Sequence, residues 1–319
     1  MVHFVSVGVG TVWRLAATRT GRIARMPAGR GLPTVLRQPL SLNTSASRPR
    51  TVLMFLWFGS YPPIYHLTVR SACQSGVDQV LLYGDEPPCL YPNLRWIPLT
   101  LQDITRRVRR VFPEAPNYMH SYKLCDLRPL YFYMFEEDLS AFDYWMWQDL
   151  DAMCGSFDIV RPYLRTPILA LSHNRYRLGG HWQLYSPSLF RGHLRFWMRH
   201  YYAARPWFLS ENTFHGLDEG WFHDLFHRLG VGHLHAPALE EFGSVHYVDG
   251  HLLKQEAGEF WTYHFNCRYR KPEYMAVPTA VYESDSLDIR DQGAVPVRVL
   301  GETAKGPPQT GGSKPVKMV

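Results

Sequence analysis

No segment of this 319-residue chain carries the ~20 consecutive apolar residues of a membrane-spanning helix. Its best apolar stretches, Val2–Trp13 and Thr51–Phe58, fall well short of that length. Cysteine is scarce. The five present (Cys73, Cys89, Cys125, Cys154, Cys267) are odd in number and lack metal-site spacing. That excludes a disulfide framework and predicts mostly reduced, buried thiols, with at most one or two pairs in an oxidising compartment. There is no internal repeat. The first fifty residues hold no acid and no lysine, yet eight arginines. Removing those eight charges from the formal +6 leaves −2 for residues 51–319. The body therefore lacks the basic stripe of a nucleic-acid binder. Its one basic cluster, Arg106-Arg107-Val108-Arg109-Arg110, reads as the solvated polar face of a short helix.

What is present describes a globular α/β protein. Hydrophobic residues make up 46% and charged residues 19%, outside the range of a disordered chain. Aromatics reach 14%, which suits either a large aromatic core or a cleft whose rings stack on sugar faces. Composition divides the chain in three. Residues 1–50 resemble an organelle-targeting segment or a disordered leader; a secretory signal fits less well, because no positive charge precedes Val2–Trp13. Without targeting the protein would be cytoplasmic. Residues 51–275 form the folded domain. Residues 276–319, rich in Pro, Gly and Lys, are expected to be poorly ordered.

Within the domain, Thr51–Phe58 reads as a buried strand closed by the turn signal Gly59 to Pro63. A helix at Tyr65–Gln74, strands at Gln79–Tyr83 and Leu94–Ile97, and an amphipathic helix at Leu101–Phe112 follow. The last starts near Thr100 or Gln102. This rhythm argues for an α/β sheet. Further helices are predicted over Asp126–Leu139, Leu189–Tyr202 and Glu219–Leu229, strands at Phe142–Gln148 and Ile168–Ser172, and a strand or turn at Glu259–Asn266.

The aromatic strand Phe142–Gln148 runs into Asp149-Leu150-Asp151, two carboxylates one residue apart at a strand end. Hard oxygen ligands of this kind suit Mg²⁺ or Mn²⁺. The plain alternative is a solvated turn with Asp as a turn residue. Three other stretches carry chemistry. Lys123 and Asp126, in Tyr122 to Tyr131, open the predicted helix and could face a nucleotide or its phosphates, or Asp126 could simply cap it. Gly179-Gly180-His181 allows a close backbone approach to a ligand, or an ordinary turn. Asp218 and Glu219 are candidate catalytic carboxylates, as base or as acceptor-orienting groups, and His264 is a candidate third metal ligand or a core histidine.

In this order the motifs resemble a family of GT-A-like glycosyltransferase-type proteins found with bacterial polysaccharide genes and in some algae. The resemblance rests on Trp57-Phe58-Gly59 ending the first strand, the run Tyr122-Lys123-Leu124-Cys125-Asp126-Leu127-Arg128-Pro129, the Asp-x-Asp strand from Asp143 to Gly155, Gly180-His181, and Phe214 to Glu219. A late Phe-x-Tyr-x-His motif is matched by Phe260 to His264, with Tyr263 directly before the histidine instead of two before it. The similarity covers about residues 51–275. It implies a GT-A-like nucleotide-diphospho-sugar transferase fold, with a mixed central sheet flanked by helices. It also implies a nucleotide-sugar donor, a glycan-type acceptor and Mn²⁺ or Mg²⁺. Asp151, and Asp149 through a water or the ribose, would hold the metal, with Tyr122, Lys123, Asp126, Gly180 and His181 on the donor side. The competing expectations are a non-catalytic carbohydrate or nucleotide-sugar binder on the same fold, and a metal-dependent phosphoester hydrolase using the same acids.

Overall fold

Strand β1, Thr51–Trp57, stands at the centre of the molecule. Its run of β-branched and apolar residues is buried on both faces, as the middle of a mostly parallel sheet requires. The computed structural model describes residues 48–61, 64–89, 91–115, 121–165, 170–172, 181–191, 195, 198–200, 202, 215–216, 222–228, 233–235, 245–254, 258–264, 286–290 and 293–296. All of them belong to one compact unit, Gln38–Val319.

Four parallel strands form one side of the main sheet: β1, β2 (Gln79–Gly84), β3 (Leu94–Pro98) and β4 (Tyr144–Gln148). Strand β5 (Ala152–Cys154) follows β4 and leaves the main sheet. Beyond β4 come β7 (Trp182–Tyr185), antiparallel to both neighbours, then β6 (Ala170–Ser172) and β8 (His233–His235). The spatial order is β3-β2-β1-β4-β7-β6-β8, a mixed sheet. The fold class is thus the α/β mixed sheet that the sequence leads one to expect.

Side-chain alternation splits the core across this sheet. Val52, Met54, Leu81, Tyr83, Trp145 and Trp147 pack on one face. Leu53, Phe55, Val80, Leu82, Tyr144 and Met146 pack on the other. Helix α1 (Tyr65–Gln74) covers the second face with Tyr65, Val69 and Ala72. Helix α2 (Leu101–Val111) covers the first with Ile104 and Val108. The crossover from β1 to β2 therefore runs over one face and the crossover from β3 to β4 over the other, and the strand order reverses between β1 and β4. In an open α/β sheet such a reversal creates a crevice at the carboxyl ends of the two strands.

Helix α2 begins where a capping box can form. The Thr100 hydroxyl accepts from the Asp103 N–H at 3.1 Å, and Asp103 accepts from the Thr100 N–H at 2.9 Å. The Thr100 hydroxyl bond, with help from the Thr100 N–H and Arg106, holds the Asp103 carboxyl below its usual range. A lowered carboxyl contributes stability above the unfolded pKa and loses it as pH falls through the folded value. Thr100→Ala should therefore cost about 1 kcal/mol in urea unfolding near pH 7, and less in acid.

Several expectations are corrected. The single helix over Asp126–Leu139 is instead a chain of short pieces: Leu124–Leu127, Arg128–Leu130, Tyr131–Met134 and Glu136–Leu139. Pro129 removes a donor, and Phe135 leaves helical geometry at φ −126°, ψ 24°. The predicted helix over Leu189–Tyr202 starts as Pro187–Phe190 and is interrupted at Arg191, whose backbone is extended. The predicted tail is not all tail, and the domain does not stop at 275. Strands β13 (Ser286–Arg290) and β14 (Gly293–Pro296) complete a five-stranded antiparallel sheet with β9 (Val245–Val248), β10 (His251–Lys254) and β11 (Gly258–Phe260). The end of the predicted leader also belongs to the fold: Arg48 pairs with Asp78 at 3.3 Å, and the Arg50 N–H donates to Asp143. Cys73, Cys89, Cys125 and Cys154 are free thiols as expected, but only Cys154 is buried. Its thiol is pushed up by burial. Cys267 lies outside the described residues.

Candidate active site

Strand β4 delivers the Asp-x-Asp pair to the β1/β4 crevice. Leu150, between the two acids, is buried in the core, which turns both carboxylates away from that anchor toward partial exposure. The stretch after β4 is short. It is a tight turn followed at once by β5, which pairs with β12 (Thr262–His264).

The turn is held by its backbone and by its neighbours. The Ala152 N–H donates to the Asp149 carbonyl at 3.2 Å, and the Asp149 N–H to the His181 carbonyl at 2.9 Å. Thr68 donates its hydroxyl to the Leu150 carbonyl at 2.8 Å, and the Gln148 amide donates to the Ala152 carbonyl at 2.6 Å. Cys154 donates its thiol back to Gln148 at 3.1 Å. None of these bonds uses the Asp149 or Asp151 carboxylate. Two hard carboxylates on a fixed strand-end turn fit Mg²⁺ or Mn²⁺. Among the described residues no cluster of three or more His, Cys, Asp or Glu side chains is complete.

Backbone register brings a third candidate close. His264 stands directly opposite Ala152, the residue after Asp151, in the β5–β12 ladder. Opposed residues in an antiparallel pair have Cα atoms about 4.5–5.5 Å apart. More than one hundred residues of sequence separation are thus closed, although the His264 side chain lies outside the described residues.

Sequence reasoning expects Lys123 and Asp126 on the donor side. Both side chains are 1% exposed, and they bind each other at 2.9 Å. Asp126 does not cap a helix; its carboxylate also accepts the His215 N–H at 2.9 Å, and its carbonyl accepts the Tyr202 hydroxyl at 3.1 Å. Two buried, mutually neutralising charges act as a brace for the Tyr122–Pro129 segment. The backbone of Tyr122 lies in the 3-10 turn Ser121–Lys123, its side chain outside the described residues. Gly180, Asp218 and Glu219 also lie outside the described residues. His181 is buried, and its carbonyl anchors Asp149.

One residue to which the sequence assigned no role enters the site. The Arg128 guanidinium forms an ion pair with the Asp149 carboxylate. Arg128 precedes Pro129 in the Arg128–Leu130 turn, so the braced segment and the Asp-x-Asp turn are joined through charge. Its only signal in the sequence is a basic residue inside a mostly apolar stretch, which must find an acid but does not say which one.

Known proteins complete the description. A mouse xyloside xylosyltransferase 1, in its apo form, is similar at 10% identity and a TM-score of 0.44, over 70% of this chain and 99% of that one. A glycosyltransferase involved in the glycosylation of the major capsid of PBCV-1 is similar at 13% identity and a TM-score of 0.39, over 74% of this chain and 98% of that one. No curated protein is matched by the sequence. A family model matches residues 53–238, which span β1, the Tyr122–Pro129 segment, the Asp-x-Asp turn and β8, and the chain belongs to that family of unknown function, DUF6625.

Proposed function

We propose that this protein is a metal-dependent glycosyltransferase that moves a sugar from a nucleotide-diphosphate donor to a glycan-type acceptor, as in polysaccharide biosynthesis. The observation that carries the reading is the seat of Asp149-Leu150-Asp151. It is a rigid turn at the carboxyl end of β4, beside the point where the strand order reverses. The likeness of the motifs to GT-A-like transferases supports the same reading.

When bound, a divalent cation would neutralise charge building on the departing diphosphate. In this reading Asp151 would ligate the cation directly, and Asp149 would contribute through a water or the donor ribose. His264, in register beside the turn, would be the third protein ligand. Tyr122, Gly180 and His181 line the donor side, while the Lys123–Asp126 pair braces that wall from behind. Asp218 or Glu219 orients the acceptor hydroxyl or takes its proton. Among the described residues no helix is long and apolar enough to cross a membrane.

The test is a thermal-shift screen of UDP-, GDP- and CMP-sugars, each with and without Mn²⁺. A ligand that binds only the native state raises the melting temperature in proportion to its occupancy. A diphosphate sugar that stabilises only with Mn²⁺ is the expected result, followed by sugar transfer. Stabilisation without turnover on any acceptor would mark a carbohydrate-binding protein instead. Release of inorganic phosphate from a phosphoester would mark a hydrolase.

A further inference from the structure

We propose that Arg128 is a positioning residue that holds Asp149 back from the cation and so keeps metal affinity low until an anionic donor arrives. The inference rests on the transferase reading of the site and adds a regulatory element to it.

Three observations lead there. First, the pair is sheltered: the side chains of Arg128 and Asp149 are 12% and 24% exposed. A guanidinium is charged at any pH a protein survives, so a sheltered one keeps an acid beside it. Second, both partners are fixed from behind. Arg128 follows the Lys123–Asp126 brace directly and precedes Pro129, and the Asp149 backbone is pinned to the His181 carbonyl. The backbone that carries each partner is thus tied into the fold. Third, Asp149 and Asp151 flank Leu150 on one tight turn, so a cation on Asp151 would sit on the turn whose other acid Arg128 already holds. Arg128 therefore acts on the site twice, by occupying one potential ligand and by repelling a second positive charge. A diphosphate would offset both effects, because it brings negative charge and oxygen ligands that a guanidinium can also bind. Coupling of this kind is reciprocal, so metal and donor each raise the other's affinity.

The experiment is Mn²⁺ titration by electron paramagnetic resonance, with no nucleotide present. The proteins are the wild type, Arg128→Gln, Arg128→Met, Asp149→Asn and the Arg128→Gln/Asp149→Asn double variant. Circular dichroism and melting temperature are recorded for each. Met refills the space of the arginine stem, so it serves if Gln unfolds the turn. Both neutral replacements should bind Mn²⁺ about tenfold more tightly than the wild type, the sign expected when a repelling charge is removed and a ligand released. On the Asp149→Asn background the same replacement should tighten binding by less than about threefold, since the ligand to be released is already gone. A merely structural arginine would lower the melting temperature and leave affinity unchanged or weaker; that result overturns the inference. An undiminished gain on the Asp149→Asn background overturns it too. If neither the wild type nor any variant binds Mn²⁺, with or without an added nucleoside diphosphate, the transferase reading and this inference fall together. Wild-type binding with no gain in the variants overturns this inference alone.

Discussion

Asp151→Asn should abolish Mn²⁺-dependent binding of a nucleotide-diphosphate sugar, weakening it more than about a hundredfold, because in the proposed function it removes a direct metal ligand, whereas losing a group that only orients such a ligand costs about 10–100-fold. The melting temperature should move by only a few degrees. The turn around Asp151 is held by the backbone bond from Ala152 to Asp149, by the bond from Asp149 to His181, and by Thr68 and Gln148. A partly exposed side chain changed to a near-isostere costs little. Isothermal titration with Mn²⁺ and donor, beside a thermal melt of the same sample, reads both quantities. Outright unfolding of the variant would make the pair structural.

Lys123→Met should do the reverse, with a large loss of stability and no direct loss of a ligand. Lys123 and Asp126 are each 1% exposed and hold each other at 2.9 Å. Breaking a buried pair from one side leaves a charge without its counterion, at a cost of about 3–5 kcal/mol. In a domain of this size that lowers the melting temperature by on the order of 10 °C. The His215 N–H still donates to Asp126, which tempers the loss without neutralising the carboxylate. The double replacement Lys123→Met/Asp126→Leu should recover part of it, since a matched apolar pair can substitute for a buried ion pair. Differential scanning calorimetry of the two variants checks the order. If the single variant melts like the wild type, the pair is not a brace.

What could be read from the sequence was the part governed by local pattern. Strands β1 and β4 are continuous apolar runs ended by polar residues, and the Thr100 cap marks the start of α2 before any contact is known. The Asp-x-Asp pair was legible because its position follows from the strand that precedes it. Local pattern failed where distant partners decide. Lys123 and Asp126 read as the charged opening of a helix, but Pro129 and Phe135 break that helix and the two charges turn inward to each other. Arg128 could not be paired with Asp149, because twenty-one residues and a change of element separate them. Strand β13 has a sequence that would pass for part of a polar tail, and pairing with β9 on one side and β14 on the other makes it a strand. The approach of His264 to Asp151 depends on β12 pairing with β5, a contact that no period in the sequence announces.

The central claim is that the Asp-x-Asp turn holds a divalent cation that bridges to a diphosphate. A crystal of the protein soaked with Mn²⁺ and a nucleoside diphosphate, measured at the manganese absorption edge, addresses it directly. The account predicts an anomalous peak within about 2.0–2.3 Å of an Asp151 carboxylate oxygen and of a phosphate oxygen, with a His264 ring nitrogen in the same shell. A peak elsewhere on the protein, or a bound diphosphate with no metal between it and Asp151, would contradict it.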